Sequence, residues 1–234
     1  YAYFYLYLMW IYFRKFSFIN FIKISFFVLS LSIPGFILIF NEPAILKSTF
    51  DPNLANTILI SSSIIFFYII PFYLTYFWSL KKKFFKLREM ISAEKILLLS
   101  IFLLTVFLNL FFEYNYKIYG GGFFIKISYL FFNNNYFFLI TSFFGLVALI
   151  DFFKRDIKNL PFIIIFLIGF SAYMIFQKYF EPIFFMIILL MMNNNLISDT
   201  ISKLKNVYFL YFYFLVYLIV AIINDVFKIT KILI

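Results

Sequence analysis

The chain alternates between long apolar stretches and short connections rich in lysine and arginine. The clearest example runs from Asn56 to Leu80 without a charged side chain, and a basic cluster follows it between Lys81 and Lys95. At about 1.5 Å rise per residue, such a helix is long enough to cross a hydrocarbon core of about 30 Å. An apolar stretch that ends in a basic cluster is typical of a transmembrane segment whose basic end stays in the cytoplasm.

The same pattern predicts an all-α fold, a polytopic transmembrane bundle of about 7–8 spans in which residues 1–234 form a single domain. The predicted spans lie near residues 1–13, 24–40, 56–80, 96–112, 136–150, 161–176, 182–198 and 207–223. The chain starts at Tyr1 inside an apolar stretch, which predicts an N-terminally truncated fragment. Asn193–Asn195 interrupts the seventh stretch, so whether 182–198 crosses fully is left open.

Proline positions refine these elements. Pro34 and Pro71 lie inside predicted spans, and we expect kinks there because proline lacks the backbone donor of a helix interior. Pro161 and Pro182 are expected in the first turns of helices, where the missing N–H costs little. Asp51–Asn53 predicts a turn or N-cap that leads into the third span.

The basic residues are distributed unevenly among the connections. Fourteen of the 20 Lys and Arg residues fall in alternate connections, at 14–23, 81–95, 151–160 and 199–206. By the positive-inside rule this predicts that loops 81–95 and 151–160 are cytoplasmic. Segments 41–55, 113–135 and 177–181 should then face the opposite side, with 113–135 as the longest external loop.

Composition supports a membrane protein. Hydrophobic residues make up 65% of the chain and the mean hydropathy is +1.02, well above the values of soluble domains. The abundance of Phe, Ile, Lys, Asn and Tyr indicates an AT-rich genome. We therefore interpret the 41 Phe residues and the asparagine runs as codon bias, not as an aromatic binding cage. The predicted location is the inner or plasma membrane of an AT-rich bacterium, or an organelle membrane.

The formal charge of +10 points to lipid rather than nucleic acid, because the basic residues cluster at span ends. The cluster Lys81–Lys95 places Phe84, Leu87 and Ile91 at helical spacing, which predicts an amphipathic helix on anionic lipid. The predicted partners are the bilayer and its anionic lipids.

The chemistry open to the chain is restricted. Cys and His are absent, which excludes disulfides, thiolate chemistry and ordinary zinc or haem sites, and no metal or cofactor is predicted. No Asp, Glu, Lys or Arg falls in the middle of a predicted span, which disfavours proton-coupled transport. We interpret the mild polar residues within spans as helix-packing groups: Ser61, Ser62, Ser63, Ser100, Thr105, Asn109 and Ser171.

Candidate site residues are charged groups on the predicted external face. Lys178, Tyr179 and Glu181 belong to a short polar segment, Gln177–Pro182, between two apolar stretches, and we predict that they bind substrate together with Glu42 and Asp51. Glu113 is a further external carboxylate. A carboxylate at the membrane surface can act as a general base, but a solvated loop charge or helix cap is the commoner role. No catalytic residue is predicted.

The sequence Lys178-Tyr179-Phe180-Glu181-Pro182 and the layout of residues 24–223 resemble the C-terminal part of a GT-C-type polytopic membrane glycosyltransferase. The resemblance implies inverting sugar transfer from a polyprenyl-phosphate-linked donor at the external face. It also implies a catalytic carboxylate in a first external loop that this sequence lacks. Four lysines would be available to contact the lipid phosphate: Lys47, Lys117, Lys126 and Lys178.

Two other classes of protein remain open. A transporter, flippase or polymerase of lipid-linked glycans predicts polar residues at mid-depth in the bundle. A non-catalytic membrane subunit predicts no cluster of external acidic residues around a pocket.

Overall fold

A computed structural model describes residues 53–79, 94–114, 120–156, 159–168, 175–191 and 195–233, with eight isolated helical positions between 22 and 41. Within these residues the secondary structure is helical throughout and no strand occurs, so the predicted all-α class is confirmed. The predicted span at 1–13 and most of the one at 24–40 lie outside them.

Eight α-helices follow one another in the described residues. They are α1 (Leu54–Ser79), α2 (Lys95–Asn109), α3 (Gly122–Phe132), α4 (Tyr136–Arg155), α5 (Leu160–Ile168), α6 (Gln177–Met186), α7 (Asn195–Ile201) and α8 (Leu204–Leu233). A π-helical segment, Ile187–Met191, continues α6. Three of these helices contain stretches long and apolar enough to cross a membrane: Leu54–Tyr76, Tyr136–Lys154 and Leu204–Ile223.

Helix α1 begins at a side-chain cap. The Asn53 Oδ1 atom accepts hydrogen bonds from the backbone N–H groups of Ala55, at 3.0 Å, and Asn56, at 3.2 Å. These donors have no partner within the helix, and an asparagine at the N-cap satisfies them. The predicted cap before the third span is therefore confirmed at Asn53. The helix continues past Pro71 to Ser79.

Two sequence predictions about the chain between spans are wrong. Segment 113–135 is not all loop, because α3 occupies Gly122–Phe132. Its eleven residues extend only about 16 Å, so a search for stretches of spanning length passes over it. Pro182 does not lie in a first turn, since α6 already begins at Gln177. The polar side chains of 177–181 suggested a loop, yet they form the first turns of a helix.

The chain divides into two compact units. The first contains Tyr1–Phe67 and Leu98–Met192, and the second contains Tyr68–Leu97 and Asn193–Ile234. In the second unit, the buried hydroxyls of Thr75 and Thr200 lie 3.2 Å apart and share a hydrogen bond. Among the described residues, nothing buries the apolar stretch of α8.

Candidate functional site

The candidate site lies in the first unit. The positions of the helix ends show how far along α1 each part of the site lies. Asn56 joins the start of α1 to the residues after α2. Its Nδ2 donates to the carbonyl of Glu113 at 2.8 Å, and its Oδ1 accepts from the Glu113 N–H at 3.0 Å. Asn53 Nδ2 also donates to the carbonyl of Phe111, at 3.0 Å. Helix α1 therefore begins where α2 ends.

Helix α4 begins at the same level. The Asn135 Nδ2 atom, directly before α4, donates to Asn109 Oδ1 at the end of α2, at 2.8 Å. Further along both helices, the buried hydroxyls of Ser63 in α1 and Thr141 in α4 lie 3.0 Å apart. These contacts make α1 and α4 run in the same direction from a common end.

Helix α3 runs back from that end toward the middle of α1. Asn133 and Asn134 form the turn between α3 and α4, with Asn133 at a φ of 55° and the Ser128 hydroxyl donating to the Asn134 carbonyl at 2.7 Å. Because the connection is only three residues long, α3 and α4 are antiparallel neighbours.

The first residues of α3 lie beside the centre of α1. The rings of Phe123 and Phe67 pack with their centroids 5.2 Å apart, and a Cβ added to Gly122 would lie 2.8 Å from Ile64 Cγ1. Ile64 and Phe67 flank the central residue of the apolar stretch Leu54–Tyr76, which is Ile65. The start of α3 is therefore level with the middle of that stretch.

The chain reaches this point through three consecutive glycines in the left-handed region. Gly120, Gly121 and Gly122 have φ values of 76°, 81° and 82°. The Gly121 N–H donates to the carbonyl of Ile175 at 2.9 Å, and the Ile175 N–H donates to the Tyr114 hydroxyl at 3.2 Å. Residues with a side chain rarely adopt such φ values, so this backbone requires glycine.

Gln177, the first residue of α6, completes the arrangement. Its side chain is only 9% exposed, and its Oε1 accepts a hydrogen bond from the N–H of Phe123 at 2.9 Å. That N–H belongs to the first turn of α3, where helical partners are absent. The Gln177 Nε2 atom is buried, and it has no hydrogen-bond partner among the described residues. We call Gly120–Phe123 together with Ile175–Gln177 the glycine junction.

The junction brings together the starts of α3 and α6. The N-terminus of a helix carries a partial positive charge and unpaired N–H groups, so it attracts anions and hydrogen-bond acceptors. Two buried side-chain polar atoms in the described residues of the first unit lack a hydrogen-bond partner. One is Gln177 Nε2 and the other is Ser61 Oγ. Among the described residues, the junction therefore combines two helix N-termini with an amide donor that has no hydrogen-bond partner.

The predicted site residues lie next to this junction or outside the described residues. Lys178 is exposed on the first turn of α6, with its Nζ 5.4 Å from the ring centroid of Phe176. Glu181 is half-buried three residues later, so it shares a helix face with Lys178. Tyr179 belongs to α6, but its side chain is outside the described set. Glu42 and Asp51 lie there too, as do Lys47 and Lys117.

Two further charged residues from the sequence analysis, Glu113 and Lys126, lie outside the glycine junction. The Glu113 side chain is exposed while its backbone is held by Asn56, and Lys126 is exposed on α3. Within the part of the chain that the structure describes, no group of acidic side chains is close enough to hold a metal ion.

Sequence reasoning missed the two parts that form the junction. Gln177 entered only as the edge of a polar segment, and the three glycines fell within the predicted external loop 113–135. One signal was available, since Gln177 is the sole glutamine in the chain and lies between strongly apolar stretches. That Gln177 and Phe123 meet depends on residues 54 positions apart, which no local pattern shows.

In the described residues, fold and site together define an all-helical arrangement with three membrane-length apolar helices and a glycine junction between half-length helices. Comparison of the chain with models of protein families, with curated proteins and with solved structures found no match.

Proposed function

We propose that the protein is a multi-pass integral membrane protein with seven to eight spans, whose loops 81–95 and 151–160 lie in the cytoplasm. Two observations support this proposal. Three helices in the described residues have the length and apolarity of transmembrane helices, and the Lys and Arg residues of the sequence concentrate in alternate connections.

We further propose that it transports a lipid-linked sugar, as a flippase or related transporter. This proposal rests on the position of the glycine junction, which lies beside Ile64 and Phe67 at the middle of the apolar stretch of α1. If the apolar stretch Leu54–Tyr76 spans the membrane, that level is about 16 Å from either end of the stretch, close to the bilayer mid-plane. Irregular backbone at such depth is tolerated where it is enclosed by protein or lines a polar cavity.

Of the classes considered, a transporter is the one for which a polar site at the middle of the membrane is expected. Broken helices whose N-termini meet near the mid-plane are a recurring way to bind the polar part of a substrate during transport. A glycosyltransferase of the resembling type would place its site at the external face instead. The choice of a polyprenyl-phosphate-linked sugar as substrate comes from that resemblance.

A polyprenyl-phosphate glycosyltransferase is the second candidate. Lys178 is the observation on its side, because an exposed cation can pair with a lipid phosphate, but its position next to Gln177 in the first turn of α6 argues against a site at the external face. Under this proposal Lys178, Tyr179 and Glu181 contact the donor, and the catalytic carboxylate lies elsewhere.

A reconstitution assay separates these proposals. The purified protein is placed in liposomes that carry a polyprenyl-phosphate sugar with a radiolabelled sugar in one leaflet, and protein-free liposomes serve as the control. A transporter moves intact lipid to the other leaflet, which is measured by access of a membrane-impermeant reagent. A transferase instead releases the label from the lipid onto an added acceptor. If neither change exceeds the control, both proposals are wrong and a non-catalytic subunit is favoured.

A further inference from the structure

We infer that the glycine junction binds the phosphate group of a lipid-linked substrate, with Gln177 Nε2 as a direct hydrogen-bond donor. This inference rests on the proposed function, because it names the part of the substrate that the junction holds. The chemistry required is that of a phosphate oxygen, either on a lipid head group or on free phosphate.

Electrostatics at the junction favour an anion. Helices α3 and α6 contain eleven and ten residues, and both begin within the junction. Each N-terminus acts as a partial charge of about +0.5. Neither helix carries an acidic residue in its first turn to neutralise that charge. Lys178, exposed in the first turn of α6, adds a positive charge, and the half-buried Glu181 one turn later adds a negative one, so the helix N-termini supply the net attraction for an anion.

The side-chain amide of Gln177 has a defined orientation. The Phe123 N–H can donate only to an acceptor, so the amide atom 2.9 Å from it must be the oxygen. Nε2 is therefore the donor atom of a side chain that is nine-tenths buried, and among the described residues it has no hydrogen-bond partner. A buried donor left unpaired is unfavourable, and a phosphate oxygen would satisfy it.

The glycines let the backbone of the junction pack closely against its neighbours. A Cβ at Gly122 would lie 3.7 Å from Gln177 Oε1 and 2.8 Å from Ile64 Cγ1, so a side chain would crowd the amide. Glycine at the start of a helix is a common way to let a phosphate group reach backbone N–H groups.

A purely structural role for Gln177 is the alternative, since its Oε1 already caps α3. The variant Gln177→Glu separates the two roles. A carboxylate oxygen can still accept the Phe123 N–H, and its charge suits the helix N-terminus, so α3 stays capped. The variant has no Nε2 donor, however, and it repels phosphate.

Asn109→Asp is the matched control for the added charge. It makes the same amide-to-carboxylate change in the first unit, and its oxygen can still accept the hydrogen bond from Asn135. We expect Gln177→Glu to weaken binding of polyprenyl phosphate in nanodiscs at least about tenfold and Asn109→Asp to leave it unchanged. Thermal unfolding of each variant checks that the fold is retained.

A spectroscopic test uses the wild-type protein alone. Because Gln177 is the sole glutamine, protein labelled with ¹⁵N at the glutamine side-chain amide reports on this one nitrogen. Solid-state NMR then measures ¹⁵N–³¹P dipolar dephasing in the presence of polyprenyl phosphate or of inorganic phosphate. The surrounding nanodiscs are made from lipids without phosphorus, so that the added probe is the sole source of ³¹P.

Dephasing with polyprenyl phosphate alone identifies a lipid head-group site, and dephasing with both probes identifies a general phosphate site. Absence of dephasing with either probe overturns the inference, as does wild-type affinity in a folded Gln177→Glu variant. A phosphate contact at Gln177 without lipid transport would contradict the proposed function and retain the site. Transport that persists in Gln177→Glu, without dephasing, would contradict the site and retain the function.

Discussion

Polar side chains in the apolar helices mostly bond to their own helix or to a neighbour. The hydroxyls of Ser62 and Thr105 donate to carbonyls of the preceding turn, at 3.0 Å and 2.8 Å. Ser63 shares a hydrogen bond with Thr141 on another helix, and Asn109 accepts one from Asn135. The interpretation of these residues as helix-packing groups is confirmed for Ser63 and Asn109. Ser171 lies outside the described residues.

Ser61 and Ser63 form a natural pair for comparison, because both are buried in α1 and only one of the two hydroxyls has a partner. We predict that Ser63→Ala lowers the free energy of unfolding by about 0.6 kcal/mol, the typical value of a hydrogen bond between membrane helices. Ser61→Ala should leave it unchanged or raise it, because it removes a buried group that lacks a partner.

Equilibrium unfolding of both variants in mixed micelles measures the difference. The two substitutions remove the same atom from the same helix, so changes in helix propensity cancel between them. Equal losses of stability in the two variants would contradict the assignment of an unpaired hydroxyl to Ser61.

The close contact between α1 and α4 depends on small residues. A Cβ at Gly145 would overlap the carbonyl oxygen of Ser62, so the two backbones approach as closely as glycine allows. Nearby, the Ser142 hydroxyl donates to the carbonyl of Leu59 at 2.9 Å. Small residues that permit such approach are typical of packing between membrane helices. The sequence shows Gly145 in an apolar stretch but not what lies opposite it.

We predict that Gly145→Ala destabilises the protein by about 2 kcal/mol or more, despite the better helix propensity of alanine. The added methyl group meets backbone rather than a flexible side chain, so the helices must separate and loosen the hydrogen bonds between them. Unfolding in mixed micelles measures the change.

Ile140→Ala provides the control on the same helix, because Ile140 is exposed, and its effect should stay within about 0.5 kcal/mol. A Gly145→Ala variant as stable as this control would show that α1 and α4 are not in close contact.

The asparagine run 133–135 forms the turn between the antiparallel helices α3 and α4. Asn133 ends α3 in a left-handed conformation, which asparagine tolerates better than most residues, and the Asn134 Oδ1 accepts from the Tyr136 N–H at 3.1 Å. Codon bias accounts for the frequency of asparagine. The turn between two antiparallel helices accounts for its use at this position.

For the molecule as a whole, the arrangement across the membrane is the property with the widest consequences. The proposed topology places 81–95 in the cytoplasm and both 41–55 and 113–135 on the other side. The chain contains no cysteine, so a single introduced cysteine reports on one position without interference.

We predict that cysteines placed at Ser48 and Asn115 react with a membrane-impermeant maleimide in intact cells. A cysteine at Ser92 should react only after the membrane is permeabilised, because the positive-inside rule keeps the basic segment in the cytoplasm. Labelling is measured by the mass shift of the purified protein, with the cysteine-free chain as the control. Equal labelling of the cysteines introduced at positions 92 and 115 in intact cells would contradict the proposed sidedness.

The sequence by itself determined the all-α class and the position of the longer helices. Apolar stretches at 56–80, 136–150 and 207–223 predicted helices that the structure has at Leu54–Ser79, Tyr136–Arg155 and Leu204–Leu233. Long apolar runs and local caps such as Asn53 are recognisable because their energetics depend on neighbouring residues alone.

Tertiary structure alone decided the half-length helix α3, the contact of Gly145 with Ser62 and the glycine junction. Each of these depends on groups far apart in the chain, such as the Phe123 N–H and the Gln177 amide, that meet only when the helices pack. Which buried donors and acceptors find partners is a property of that packing. For this reason the sequence directed attention to the charges of Lys178 and Glu181, whereas the structure directs it to the uncharged neighbour Gln177.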